Sequence, residues 1–190
     1  MIDPAPAAFQ DAADFERWLG EHHEQSDGAW LKIAKKGAAA ETVSYAQAVE
    51  VALCFGWIDG KKQRLDDTYW LQRFTRRRAR SRWSQINRTK AESLIAAGRM
   101  RPAGLAEVER ARADGRWEDA YAGSATAEIP ADLQRVFEAE PGLAEAFAAL
   151  DSRNRYAIIW RLNDAKREAT RAKRLSEYVG LLRAGGTLHP

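Results

Sequence analysis

The segment Cys54-Phe-Gly-Trp-Ile-Asp-Gly-Lys-Lys-Gln-Arg-Leu-Asp-Asp-Thr-Tyr-Trp-Leu-Gln-Arg-Phe-Thr-Arg-Arg-Arg-Ala-Arg-Ser-Arg-Trp-Ser-Gln-Ile-Asn87 decides the reading of this chain. It holds three of the seven tryptophans and a dense run of arginine. Trp57 to Leu65 and Tyr69 to Arg76 read as two strands joined by the turn Leu65-Asp66-Asp67-Thr68, where short polar side chains favour a reversal. On the second strand Trp70, Gln72 and Phe74 share one face, and Tyr69, Leu71, Arg73 and Thr75 the other. Arg76 to Arg82 has neither period and reads as a loop. Ser84 then caps a helix that carries Ile86, Leu94 and Ile95 and stops at Gly98.

Upstream, Ser44 and Gln47 form a capping box for a helix with the apolar stripe Tyr45, Ala48, Val49, Ala52 and Leu53. Gly56 is placed to end it in the left-handed conformation. Ala29 to Lys36 alternates as a third strand, with Leu31 and Ile33 on one face. Asp11 caps a first helix carrying Phe15, Trp18 and Leu19. A two-stranded hairpin alone is marginal, so helices are expected to cover one face of a small antiparallel sheet.

Downstream, Pro102 sits at the first position of a helix through Leu105, Val108 and Ala111, with Trp117 and Tyr121 folding back as anchors. Residues 122–130 are small, polar and aperiodic, the signature of a linker. Beyond them every pattern is helical. Ser152 caps a helix carrying Tyr156, Ile159 and Trp160, and a last helix over about residues 165–183 presents Leu175, Tyr178, Val179 and Leu182. The expected class is α+β: a domain of residues 1–121 with a small antiparallel sheet covered by helices, a linker 122–130, and an all-helical C-terminal domain 131–190.

The net charge of +3 is unevenly spread. Residues 1–60 carry −6, residues 61–90 carry +9, and the rest is neutral. A local excess of this size attracts anions even on a nearly neutral molecule. The single cysteine, Cys54, excludes an internal disulfide. The N-terminus lacks the basic and apolar regions of a secretory signal, and no apolar run approaches the ~20 residues of a membrane span. These features lead to the expectation of a cytoplasmic protein without a membrane span.

Several strings resemble the bacterial YdeI/OmpD-associated family, also called the bacteriocin-protection or OmdA-like family. They are Trp30 to Lys36, Tyr45, Ala52 to Gly60, Leu71 to Thr75, Ser81 to Ser84 with Asn87, and Gly98 to Pro102. In the second half they are Ala165-Lys166-Arg167, Thr170-Arg171 and Lys173-Arg174. On these strings the resemblance runs over nearly the whole chain. One departure is Ala169, which precedes Thr170 where the family pattern has an acid. The resemblance implies neither catalytic residues nor a substrate.

Metal chemistry finds no ligand spacing among His22, His23, His189 and Cys54, and no cofactor fingerprint is present. Cys54, on an apolar helix, reads as a small buried hydrophobe. The loop Arg76–Arg82 leads into a helix N-terminus at Ser84, where free backbone N–H groups favour an anion. The candidate ligand-binding residues are therefore Arg73, Arg76, Arg77, Arg78, Arg80 and Arg82, with Trp57, Trp70 or Trp83 as a stacking surface. The partner would be a nucleic acid or a phosphorylated small molecule, held by a non-catalytic module. The plainer reading of the same run is a solvated, solubilising surface.

A second reading is an enzyme on a small anionic or nucleotide-like substrate, with Asp59 as acid–base and Lys35 or Lys36 as its charge partner. For Asp59 the plainer reading is structural pairing with Lys35, Lys36 or Arg73. A third reading is a protein–protein adaptor in stress or bacteriocin protection, acting through the C-terminal helices. Lys166, Arg167, Arg171, Lys173 and Arg174 there read equally well as a solvated face.

Overall fold

The computed structural model describes residues 5–190, in which eleven elements follow one another. In the first unit these are α1 (Ala12–His22), β1 (Ala29–Ala34), α2 (Tyr45–Cys54), β2 (Trp57–Arg64), β3 (Tyr69–Arg76), α3 (Gln85–Ala96) and α4 (Pro102–Ala113). The second unit holds α5 (Ala131–Ala139), α6 (Pro141–Ala149), α7 (Ser152–Asp164) and α8 (Glu168–Arg183). The boundary between the two compact units falls between Tyr121 and Ala122.

The three strands form one antiparallel sheet in the order β1-β3-β2, so the fold is α+β with a helical C-terminal part. Ala7 adds a parallel bridge to Leu31 at the outer edge of β1. Lys62 opposes Gln72 only two positions from the pairing of Asp59 with Phe74, so β2 carries one extra residue, a bulge at Gly60-Lys61. Side-chain Nε2 of the buried Gln72 donates to the Gly60 carbonyl at 2.9 Å, which satisfies a group the ladder leaves open.

The central helix is α2, which packs on α1, β2, α3 and α4. Its capping box forms as expected between Ser44 and Gln47. Gly56 has φ +72, and an added Cβ there would meet Glu107 Cγ at 2.8 Å and the Ala103 carbonyl at 2.9 Å. Gly104 brings α4 against α2 more closely still, since its Cβ would lie 2.3 Å from the Cys54 carbonyl oxygen. Phe15, Leu19, Leu31, Leu53, Trp57, Phe74, Trp83 and Trp117 belong to this core.

Several expected core positions face outward. Ile86 is 58% exposed and Tyr45 40%, and Leu105 yields its place in α4 to Gly104, Glu107, Val108 and Ala111. In α7 the buried set is Ile158, Ile159 and Leu162, leaving Trp160 exposed, and Asp151 rather than Ser152 is the cap. β1 ends at Ala34, before Lys35 and Lys36, and α8 begins at Glu168.

The helical unit builds its own core from Leu133, Phe137, Leu143, Phe147, Ile158, Ile159, Leu162, Tyr178, Val179 and Leu182. Nε and Nη2 of Arg171 in α8 grip both carboxylate oxygens of Asp132 in α5 at 2.6 and 2.8 Å, and Nη1 donates to the Leu162 carbonyl at 2.7 Å. Buried Asn154 fastens the C-terminal segment. Its Oδ1 accepts from the Leu188 and His189 amides, and its Nδ2 donates to Asp151 and to the His189 carbonyl. No helix of the described residues is long and apolar enough to cross a membrane.

Candidate anion-binding site

The arginine run divides into distinct fates where β3 ends. Arg76 donates to the Glu24 carbonyl at 2.9 Å and faces Asp27 at 3.7 Å, so it ties the sheet to the turn before β1. Arg77 turns inward, with only 5% of its surface exposed. Arg78 and Arg80 are exposed, and among the described residues no acid pairs with either. Arg82 is exposed and lies 5.4 Å over the Tyr121 ring.

The backbone places Arg77 by leaving the strand: its amide donates to the Gly56 carbonyl at 3.0 Å. The guanidinium then lies 3.5 Å over Trp83, which stands edge-on to Trp117 at 4.8 Å. Nη1 donates to the Arg82 carbonyl at 3.1 Å, whereas Nε and Nη2 are buried without a partner. Burial lowers the Arg77 pKa to about 10, against the opposing pull of Glu107, Tyr121 and Asp59.

Asp59 lies on β2 opposite Phe74 and accepts the Tyr45 hydroxyl at 2.8 Å. Partial burial and this hydrogen bond both hold the Tyr45 proton, pushing its pKa well above the usual phenol value. The ring of Tyr45 sits 5.8 Å from Trp70, over which Lys62 places its ammonium at 4.3 Å. Asp59, Tyr45, Arg77, Tyr121 and Glu107 thus share one electrostatic neighbourhood.

Other expected members lie elsewhere. The amide of Lys35 donates to the Thr68 carbonyl and its Nζ to that of Asp66, which puts it at the β2–β3 turn. Asp59 pairs with Phe74 whereas Ala34, next to Lys35 and exposed Lys36, pairs with Tyr69, five residues away on β3 or about 17 Å at the rise of a strand, so neither lysine is the charge partner of Asp59. Arg73 packs over Trp30 at 5.5 Å on the sheet face away from Asp59, so it does not converge on the Arg77 cluster.

The tryptophans correct the stacking role. Trp57 is fully buried and donates from Nε1 to the His23 carbonyl, and Trp83 is 1% exposed; neither offers a face to a base. Trp70 is half-buried under Lys62. The N-terminus of α3 is also largely spoken for. Ser84 Oγ accepts from the Asn87 amide, and the Gln85 amide donates to the Tyr121 carbonyl. An anion there would have to displace these bonds.

Among the described residues no group of three or more His, Cys, Asp or Glu side chains is disposed to hold a metal. Cys54 is buried, and burial raises its thiol pKa, away from the reactive thiolate. The described part of the helical unit exposes two large apolar side chains, Ile129 and Trp160. Sequence reasoning missed Gln72, Gly104, Glu107 and Asn154. Each has a contact the local pattern does not show, with a residue distant in sequence: Gln72 with Gly60, Gly104 with Cys54, Glu107 with Gly56, and Asn154 with Leu188 and His189.

The comparisons with known proteins fall on either side of the boundary between the two units. Residues 7–107, more than half of the chain, match the family described as a domain of unknown function (DUF8412). Residues 126–185 match the family described as Bacteriocin-protection, YdeI or OmpD-Associated. The latter match covers most of the helical unit, whereas the resembling strings between Trp30 and Pro102 fall within the first match. No curated protein and no solved structure matches the chain. The chain therefore belongs to the DUF8412 family through its sheet-bearing unit, and its helical unit matches the YdeI/OmpD-associated family model over residues 126–185.

Proposed function

We propose that the sheet-bearing unit is a non-catalytic module that binds a small anionic ligand at the end of β3. The observation that carries this reading is Arg77: a buried guanidinium that retains two N–H donors without a partner. Leaving buried donors open costs stability unless something fills them. Exposed Arg78 and Arg80 on the adjoining loop supply the field that draws an anion toward it.

A phosphorylated small molecule fits better than a nucleic acid. Of the six arginines first grouped, Arg73, Arg76 and Arg82 are engaged with other side chains or carbonyls, and Arg77 is enclosed. Among the described residues no exposed aromatic platform stands beside Arg78 and Arg80, as single-stranded binding would need. The test is a tryptophan-fluorescence titration with mononucleotides, sugar phosphates and short oligonucleotides at about 50 and about 200 mM salt. Small ligands should bind with a shallow salt dependence that Arg77→Met abolishes. Binding confined to oligonucleotides, with a steep salt slope, would replace this reading by the nucleic-acid one.

A second reading, an enzyme at the same place, is favoured by the Tyr45 hydroxyl held on Asp59 within the field of Arg77. It requires that Asp59→Asn abolish turnover of a bound ligand while leaving its affinity intact.

A further inference from the structure

Nε and Nη2 form the side edge of a guanidinium, a fork of two parallel N–H bonds matched to two oxygens on one centre. This protein fills that edge in Arg171, where Asp132 takes both bonds. In Arg77 the same edge is buried and open. Two other buried atoms share the condition: Nε1 of Trp83, the ring beneath Arg77, and Oε2 of Glu107, whose Oε1 accepts from Arg110 and whose Cγ lies against Gly56, the residue whose carbonyl holds the Arg77 amide. Arg88 Nε and Arg116 Nη2 also lack a well-aligned bond, but Glu92 stands 3.6 Å from the first and Asp114 2.8 Å from the second.

The open groups are thus three donors and one acceptor. A plain carboxylate would fill the fork and leave Glu107 Oε2 unmet. A fully ionised oxoanion would press an unprotonated oxygen against the Glu107 carboxylate. A group with two charged oxygens and one O–H satisfies both demands. Resting on the anion-binding reading above, we propose that the Arg77 fork takes two oxygens of a singly protonated phosphate, whose remaining O–H donates to Glu107 Oε2.

The phosphate is either free or the end of a phosphorylated small molecule. Residues 78–82, which follow Arg77, form a turn closed by Arg78 N–H to Ser81 Oγ at 2.8 Å and Ser81 N–H to the Arg78 carbonyl at 2.9 Å. The charged and titratable groups that act on Arg77 are Glu107 of α4, Asp59 of β2, Tyr121 and Arg116.

The experiment compares inorganic phosphate with sulfate, of similar shape but without a proton, by calorimetry on the full chain at about pH 6, near the second phosphate ester pKa. Phosphate should bind about tenfold or more tighter, the scale of one hydrogen bond to a charged group. Glu107→Gln should erase or invert the preference, because an amide can donate to an unprotonated oxygen. Ribose 5-phosphate binding more tightly than phosphate would identify a phosphorylated small molecule, and equal binding would identify free phosphate.

Equal affinity for phosphate and sulfate in the native chain overturns the protonated-phosphate assignment and leaves the anion-binding reading standing. That comparison needs no variant, so it decides even if Glu107→Gln fails to fold. Heat from none of the three ligands overturns both, and would mean that the open groups hold only water.

Discussion

Replacing Arg77 by methionine separates an arginine kept for binding from one kept for structure. The change removes the guanidinium's contact with Trp83, worth about 2 kcal/mol when desolvated. It also removes the Nη1 bond to the Arg82 carbonyl, about 1.5–3 kcal/mol for a charged donor. Against these losses, two buried donors without partners disappear, each a cost of about 1–3 kcal/mol, and methionine keeps an apolar chain over the indole. The opposing terms are of similar size, so the net change should lie within about 2 kcal/mol of zero, as for other buried charges replaced by apolar groups. Urea denaturation followed by tryptophan fluorescence is the assay, since six of the seven tryptophans precede Tyr121. Loss of more than about 4 kcal/mol with an unchanged m-value would refute the reasoning and make Arg77 a structural residue. The pH dependence carries the same logic. The folded pKa of Arg77, about 10, lies below the ordinary arginine value, so between those values the unfolded chain binds the extra proton. Native stability relative to Arg77→Met should therefore rise with pH across that window, while below about pH 10 the burial cost is present in full.

Gly104→Ala should destabilise the sheet-bearing unit by roughly 1–3 kcal/mol despite a better helix propensity, because its Cβ meets the backbone carbonyls of Cys54 and Leu53; a denaturant midpoint measures it. Gly180→Ala on α8, which meets nothing within 4 Å, should instead raise the melting point of the helical unit by stabilising it about 0.5–1 kcal/mol. Arg171→Ala should cost that unit roughly 1–3 kcal/mol in a circular-dichroism melt, since Asp132 and the Leu162 carbonyl both lose their partner. Arg171 holds the Asp132 pKa below the usual carboxylate value, so this contribution is present above about pH 4 and is lost as pH falls through the lowered value; the variant should show a shallower acid slope. Asn154→Ala should abolish hydrogen-exchange protection of the Leu188 and His189 amides while leaving the amides of α7 protected.

The elements that were legible in the sequence are those fixed by neighbours within a few residues. The Ser44–Gln47 capping box, the left-handed Gly56 and the strand alternation around Phe74 are local patterns, and each forms as read. Side-chain direction outside the strands is different in kind. Extending the two-residue alternation past Arg76 would put Arg77 on the face of Arg73 and Thr75. The chain leaves the pleat there, because the Arg77 amide is held by the Gly56 carbonyl and its side chain by Trp83 and the Arg82 carbonyl. A run of arginines gives no hint of which member turns inward, since that depends on where α4 and Trp117 come to rest, 25 to 40 residues later. The face of α4 shows the same limit. Apolar spacing favours Leu105, but the close approach to α2 selects the residue with no side chain, Gly104, and carries Glu107 inward with it. Gly56 joins the two levels. Its left-handed φ is readable as a helix end, while its bare surface against Glu107 and its carbonyl bond to Arg77 are not. One locally legible glycine thereby sets both the acid and the guanidinium of the candidate site.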